Sequence, residues 1–376
     1  MSAPSVLVVG AGVTGLAAAH ALVGRGFDVT VLDRGPIPNP IASSFDRHRL
    51  IRHHYPDIPL YARRVDEAFA AWDDLWDELG ETHYIETGVI AVSLEPGDWT
   101  DRARRAMDEV GSAYEMLDAA AFAARFPHFA MPDMAYCLLT RRGGALLADR
   151  ILAGYIRLLR EEGATLVPNA WAEAVDPAKG RVVARDGRVF EADQVLLAPG
   201  VYAPHIFQDF VDVTLEPRRS VLLYAEPPAR WAGHWSNSPA WVDLGSKDEI
   251  WGIPPLPGIP MKLGVGNAAP EGDPSGPRFF HEHEVRGILD VYRTRVRDID
   301  DFKVVEGHCN WWTMAPQERF VFRNVERAWF LSACSGHGFK FGALTGRDVA
   351  AAISGDEPAQ TVQERLAGFD RLPDAA

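Results

Sequence analysis

Residues 5–33 constrain the fold more than any other part of the chain. Ser5-Val6-Leu7-Val8-Val9 is a short run of β-branched and aliphatic residues, the kind that forms a buried parallel strand. Gly10-Ala11-Gly12-Val13-Thr14-Gly15 follows, then the Ala- and Leu-rich stretch Leu16 to Val23, which reads as a helix packed on a sheet. A second apolar run, Val29 to Leu32, ends in Asp33. Strand, glycine turn, helix, strand and acid, in that order within roughly thirty residues, form the full context of a dinucleotide-binding fingerprint. Gly10 permits the tight turn, Gly12 lets backbone approach a pyrophosphate, and Gly15 lets helix and strand pack closely. Asp33 is suited to accept hydrogen bonds from ribose hydroxyls; a glycine-rich loop without a ligand would leave it unexplained.

The remaining composition excludes several classes. A chain of 376 residues with 47% hydrophobic and 24% charged residues can build two domains, or one large domain with an insertion. The formal charge of −14 argues against a nucleic-acid partner, since phosphate binding rests on clustered Lys and Arg. Cys137, Cys309 and Cys334 contain no C-x-x-C pair, so neither a disulfide framework nor a zinc site is expected, no metal is assigned, and the cytoplasm is the natural compartment. Val6 to Val23 lacks a preceding Lys or Arg and is interrupted by glycines, unlike a signal peptide. Nothing reaches the ~20 apolar residues of a membrane span.

Ala62, Val65, Phe69, Trp72, Trp76 and Leu79 recur at helical spacing within 59–79, predicting an amphipathic helix whose aromatic stripe is core. A second α/β stretch runs from Gly143-Gly144 through the helical Ile151–Arg160 to the strand-like Ala164–Val167. Val195-Leu196-Leu197-Ala198-Pro199-Gly200 reads as another strand of the same sheet. Over about 212–304, period-two patterns rich in proline and tryptophan predict an antiparallel unit.

Four pieces of sequence resemble one family. These are the glycine fingerprint, the segment Asp46-Arg47-His48-Arg49-Leu50-Ile51-Arg52-His53-His54-Tyr55, the stretch Lys262-Leu263-Gly264, and Ser335-Gly336-His337-Gly338-Phe339-Lys340-Phe341. In that order they are similar to the monomeric sarcosine oxidase group of the D-amino-acid oxidase superfamily, which includes N-methyltryptophan and pipecolate oxidases. The resemblance implies FAD as the dinucleotide. Physically, the cations of 47–54 form a cluster that wants an anion, and the interleaved Leu50, Ile51 and Tyr55 suggest partial burial; a buried cation must be paired. By the resemblance, Arg52 and Lys340 hold a substrate carboxylate, Arg49 lies against the flavin ring, and Lys262 is the oxygen-activating cation, stabilising superoxide as it forms. The glycine loop before Ala343 feeds a helix N-terminus, which favours negative charge. The implied cofactor-binding set is Gly10, Gly12, Val13, Thr14, Gly15, Asp33, Arg34, Ser43, Ser44, Arg49, Ala172, Gly200, Gly336, His337, Gly338, Phe339 and Lys340.

Two departures modify this expectation. Gly266 stands where sarcosine oxidases have a histidine, giving the pocket space, and Trp251 stands where they have tyrosine, with Trp311-Trp312 adding aromatic bulk. A bulkier, cyclic or aromatic amine is therefore expected, with Trp251 at the substrate. Aligning Thr313-Met314-Ala315-Pro316 with the family's flavin-attachment segment puts Asn310 at the attachment position and Cys309 one residue early. In a strand that shift turns the side chain to the opposite face, so noncovalent FAD is expected rather than a link through Cys309.

The expected fold is α/β: a Rossmann-like FAD-binding domain with a parallel sheet (1–85, 141–210 and 305–376) and an inserted, mainly antiparallel α+β substrate domain (86–140 and 211–304). The expected activity is oxidation of the C–N bond of a small amino acid or a secondary or cyclic amine to an imine, with O2 reduced to H2O2, by a monomer or small homo-oligomer. The alternatives are a dehydrogenase or desaturase of the same fold using another electron acceptor, and a flavin-binding subunit without turnover.

Overall fold

The computed structural model describes residues 3–206, 208–245, 248–266, 272–276 and 278–369. The strand Ser5–Val9 lies at the centre of a six-stranded sheet, paired in parallel with Asp28–Leu32 on one side and Gln194–Leu197 on the other. Thr165–Val167 extends the sheet beyond Asp28–Leu32, and Ala328–Ser332 extends it beyond Gln194–Leu197. These pairings are parallel; only the edge strand Val321–Val325 runs antiparallel. Helices Val13–Val23, Ala148–Glu161 and Gly342–Ser354 contribute to the core cluster that includes Val6 and Val8, while Leu7 and Val9 belong to a second cluster with Val182 and Ala203. Burial on both faces explains why the strand is apolar at every position instead of alternating. A Cβ at Gly346 would lie 2.5 Å from the backbone of Ala17, so glycine allows the first and last of these helices to touch.

The helix Pro59–Leu79 spans the predicted residues, and its stripe, Ala62, Val65, Phe69, Trp72, Trp76 and Leu79, is buried. Trp72 Nε1 donates to the carbonyl of Lys340 at 2.8 Å, tying that helix to the late glycine loop.

An eight-stranded sheet forms the other half of the architecture. Its order is Lys303–Met314, Glu216–Glu226, Met261–Val265, Ile250–Ile253, Ala240–Leu244, Val89–Ser93, Tyr136–Thr140, Glu115–Leu117. Neighbours are antiparallel except Ala240–Leu244 with Val89–Ser93. Lys303–Met314 pairs with Glu216–Glu226 from end to end, so a boundary at 305 would cut a strand out of this sheet. We propose that the substrate-side unit continues to about 314. A smaller sheet pairs Arg49–Ile51 and Tyr84–Glu86 with Gly144–Leu146. Among the described residues no helix is long and apolar enough to cross a membrane, and no group of three or more His, Cys, Asp or Glu side chains is arranged to hold a metal ion.

Candidate active site

The glycine turn is built as its sequence requires. Gly10 has φ +110°, and a Cβ there would meet the carbonyl oxygen of Ala198 at 2.2 Å; one at Gly15 would meet the carbonyl of Gly10 at 1.9 Å. Helix Val13–Val23 starts directly after Gly12, with the Val13 amide donating to Ser44 Oγ at 3.0 Å. Asp33 is buried and accepts from the amides of Ala11 (2.9 Å) and Gly35 (2.9 Å) and from Asn39 Nδ2 (2.8 Å). Arg34 packs against the rings of Trp171 (3.9 Å) and Tyr202 (4.0 Å), and its Nη1 is buried without a hydrogen-bond partner among the described residues. A cavity of about 530 Å³ opens here, lined by Gly10, Gly12, Thr14, Asp33, Arg34, Ser43, Ser44, Ala172 and Gly200.

A second cavity, about 480 Å³, shares Thr14, Ser43, Ser44 and Gly200 with the first, so the two form one elongated cleft. Val13, Arg49, Arg52, Trp251 and the loop Gly336–Lys340 line it. That loop is reached through Ser335 (φ +44°) and Gly336 (φ +74°), and a Cβ at Gly338 would meet the carbonyl of Ala333 at 1.9 Å, which accounts for its glycines. The Arg52 guanidinium lies over the rings of Tyr55 (4.6 Å) and Trp99 (5.3 Å), and its Nη1 has no hydrogen-bond partner among the described residues. Lys340 is buried and donates to the Tyr55 hydroxyl (3.0 Å) and the His337 carbonyl (3.0 Å). Burial and the nearby Arg52 charge push its pKa well below the usual lysine range. Burial also lowers His337 far enough to keep it neutral, so its Nε2 donates to the Glu318 carbonyl (2.8 Å) and its Nδ1 accepts from the Tyr55 hydroxyl (3.1 Å).

Lys262 does not line the cavity. Its ammonium is buried, donating to Asp46 Oδ2 at 2.5 Å and to the His48 carbonyl at 3.0 Å. The same Asp46 carboxylate accepts from Arg49, from the Tyr224 hydroxyl at 2.5 Å and from the Arg47 amide at 2.8 Å. Burial pushes Lys262 down to about 8, with Asp46 opposing the shift; Asp46 is held well below the usual carboxylate range, its burial outweighed by Lys262 and Arg49.

The cations of 47–54 do not share one anion. Arg47 pairs with Glu306, Arg49 with Asp46 and His53 with Asp66, while Arg52 alone of the segment's arginines is directed to the cavity without an ion pair among the described residues. His48 and His54 are buried, with both ring nitrogens unpartnered among the described residues. Burial lowers His48 to about 3 and His54 well below its ordinary value, so both are neutral core residues. Neighbouring residues in an extended segment point to opposite sides, which distributes these groups to different partners.

The space at Gly266 is filled. A Cβ there would lie 2.3 Å from Glu249 Oε2, so the carboxylate of the preceding strand's lead-in residue covers this position. Glu249 and Glu318 both line the cavity, and burial raises the pKa of each. The Trp251 ring lies across Gly264, where a Cβ would approach within 2.4 Å. Of the two adjacent tryptophans only Trp312 reaches the cavity; Trp311 is buried with Cys309 and Val201. The register explains both: Asn310 pairs with Ser220 and Cys309 with Val221, and the strand's one irregularity lies at Tyr224/Ala225. Asn310, Trp312 and Met314 face the cavity, and Cys309 faces away. Cys334, given no place in the site from the sequence, lines the cavity instead.

Asp46, Tyr55, Trp99, Glu249 and Glu318 are therefore additions to the predicted set. Asp46 carried a signal, being the one acid at the head of a basic run. Glu249 and Glu318 carried none, since both come from turns whose placement depends on the sheet.

Comparison with known proteins agrees with this geometry. Residues 5–352 match the DAO family, FAD dependent oxidoreductase. The chain is 24% identical over 365 residues to N-methyl-L-tryptophan oxidase of Yersinia pestis, covering 94% of this chain and 95% of that protein. Among solved structures, L-proline dehydrogenase from P. horikoshii superposes with a TM-score of 0.82 at 16% identity, covering 98% of this chain and 100% of that one. NikD, an amino acid oxidase essential for nikkomycin biosynthesis, gives 0.81 at 21% identity, covering 99% and 100%.

Proposed function

This chain belongs to the FAD dependent oxidoreductase family, and from that premise we propose that it oxidises the C–N bond of a small amino acid, or of a secondary or cyclic amine bearing a carboxylate, to the imine, with O2 reduced to H2O2. The observation that carries the reading is the convergence of Arg52 and Lys340, cations without a carboxylate partner among the described residues, on the cavity that adjoins the glycine-lined cleft. A relative at 24% identity is an N-methyl-L-tryptophan oxidase, and structural neighbours include an L-proline dehydrogenase and the amino acid oxidase NikD.

The residues fit FAD. The glycine turn leaves no room for side chains where backbone must approach a phosphate. Arg34, sandwiched and with an unpartnered nitrogen, is a ready donor at the far end of the cleft. Gly12 and the start of helix Val13–Val23 would hold the pyrophosphate and Asp33 the ribose. When bound, FAD supplies the two-electron acceptor that neither amine nor protein possesses. With Cys309 turned away, we propose noncovalent attachment.

The protein's own contribution is orientation and charge. Arg52 offers a planar fork and Lys340 a point charge to one carboxylate. Tyr55 fixes the Lys340 side chain by accepting a hydrogen bond from its Nζ while donating one to neutral His337, so the group is held in place. Trp251 and Trp99 narrow the space beside that anchor, and Glu249 replaces the volume that Gly266 releases. An anaerobic screen of N-methyl, cyclic and aromatic amino acids for loss of the yellow flavin band tests the reading. Bleaching followed by reoxidation in air with peroxide release is expected. Bleaching with reoxidation only by an added dye would establish the dehydrogenase alternative, and no bleaching by any amine would refute amine oxidation.

A further inference from the structure

The proposed reaction gives no role to Asp46, a buried carboxylate bonded to two of the site cations. Asp46 is 5% exposed and Lys262 1% exposed. An ammonium so enclosed, with the Arg49 guanidinium bonded to the same carboxylate, cannot keep its charge unless an anion is beside it. Asp46 is the only carboxylate bonded to Lys262 among the described residues. Among the described residues, the other charged or titratable groups facing the pair supply no second anion. His48 is neutral with both ring nitrogens unbonded, His308 is lowered by burial, the Tyr224 phenol donates to Asp46, and Glu306 is paired with Arg47.

We propose that Asp46 is a positioning residue for the oxygen half of the reaction: it pins the Lys262 ammonium against the basic segment and serves as the counter-charge that Lys262 and Arg49 share. The inference rests on the reading of Lys262 as the oxygen-site cation. Its geometry is over-determined, because the carboxylate is itself held by the Tyr224 hydroxyl and the Arg47 amide, so it cannot swing away with the lysine. Two cations and one anion leave a single net positive charge behind the cavity wall, the amount that one developing anion needs. Without Asp46, both remaining influences on Lys262, burial and Arg49, act to discharge it.

The chain has five lysines, Lys179, Lys247, Lys262, Lys303 and Lys340, so 13Cε-lysine labelling of the FAD-loaded protein gives a spectrum simple enough to assign Lys262 by comparison with Lys262→Met. In Asp46→Asn the Lys262 titration should move down by roughly one to three pH units, the usual effect of removing an adjacent opposite charge. The pH at which air reoxidation of chemically reduced flavin slows should move down with it. An unchanged Lys262 titration overturns the proposal, and if Lys262→Met still reoxidises slowly the oxygen-site reading survives that failure. If instead Lys262→Met reoxidises like the parent, the oxygen-site reading falls whatever the resonance does. Should Asp46→Asn not fold, Lys262→Met supplies the converse measurement: the Asp46 carboxyl carbon must titrate at higher pH than in the parent, and an unmoved titration overturns the pairing.

Discussion

Replacing Arg52 and Lys340 separately should expose two different pH dependences, because the structure gives the two cations different histories before substrate arrives. A charge-assisted hydrogen bond contributes about 1.5–3 kcal/mol, and each 1.4 kcal/mol is tenfold. Arg52→Gln should therefore raise the substrate concentration needed for half-maximal anaerobic bleaching by about ten- to a hundredfold. The penalty should be fullest below the depressed Lys340 pKa and shrink above it: a guanidinium does not discharge in the working range, but its removal lets Lys340 keep its proton to higher pH. Lys340 behaves otherwise, since burial and the Arg52 charge hold its pKa well below the usual range. Below that depressed pKa the ammonium is already charged and contributes in full. Above it, an arriving carboxylate must first draw a proton onto the lysine, and part of the interaction is consumed in doing so. Affinity in the parent should thus weaken as pH rises through the depressed pKa, with a proton taken up on binding, and Lys340→Gln should flatten this profile.

The pair is also coupled. Removing Arg52 relieves the repulsion that discharges Lys340, so Lys340 is worth more in Arg52→Gln than in the parent, and above the depressed pKa the double mutant should lose more than the sum of the single losses. The assay is stopped-flow bleaching against a substrate and its carboxamide across pH. The amide should be much poorer for the parent and nearly equivalent to the acid for the double mutant. Equal bleaching of the parent by acid and amide refutes the carboxylate anchor.

Three further outcomes are expected. Lys262→Met should slow reoxidation of reduced flavin at least about tenfold, a barrier change of about 1.4 kcal/mol, while leaving reduction by substrate comparatively intact; stopped-flow mixing with oxygenated buffer reads both. Acid precipitation should release FAD, because Cys309 faces away from the cavity; colour retained on the polypeptide but lost in Cys334→Ser would move the linkage to the one cysteine that lines it. Gly10→Ala should yield protein without yellow colour or no folded protein, since its Cβ would sit 2.2 Å from the Ala198 carbonyl at φ +110°, whereas full FAD content would refute the cradle.

Much of this was legible because the informative features are local. The strand-turn-helix-strand order over 5–33, the helix at 59–79 and the strand at 195 depend on short-range periodicity, and the structure has each of them. The register argument for Cys309 also held, because a side chain's face in a strand follows from counting along an unbroken ladder. What could not be read were relations across sheets. Gly266 looked like gained space because Glu249, from the neighbouring strand's approach, is invisible as its neighbour. The cluster at 47–54 looked like one anion site because its partners, Glu306 and Asp66, are remote or lie on another element. The partner of Lys262 was hidden because the sequence cannot say that an acid 216 residues earlier, Asp46, lies beside it.

The distribution of charge ties these observations together. Burying a cation is costly unless an anion compensates it, and this chain treats its four site cations in two ways. Arg49 and Lys262 are compensated internally by Asp46, so they are fixed in place whether or not a ligand is present. Arg52 and Lys340 are left to aromatic faces and neutral acceptors, with Tyr55 serving both. Neutral partners steady a cation without cancelling it, and the uncancelled charge is available to a ligand. A protein carrying a formal charge of −14 had many carboxylates with which to quench that pair. Glu318 and Glu249 do stand nearby, yet neither makes an ion pair with Arg52 or Lys340 among the described residues, and burial raises both toward the neutral form. A carboxylate that is easily protonated can tolerate another carboxylate beside it, where an ionised one would repel it. The acids around the anchor are thus compatible with an anionic substrate group, and the same burial that lowers the Lys340 pKa raises theirs.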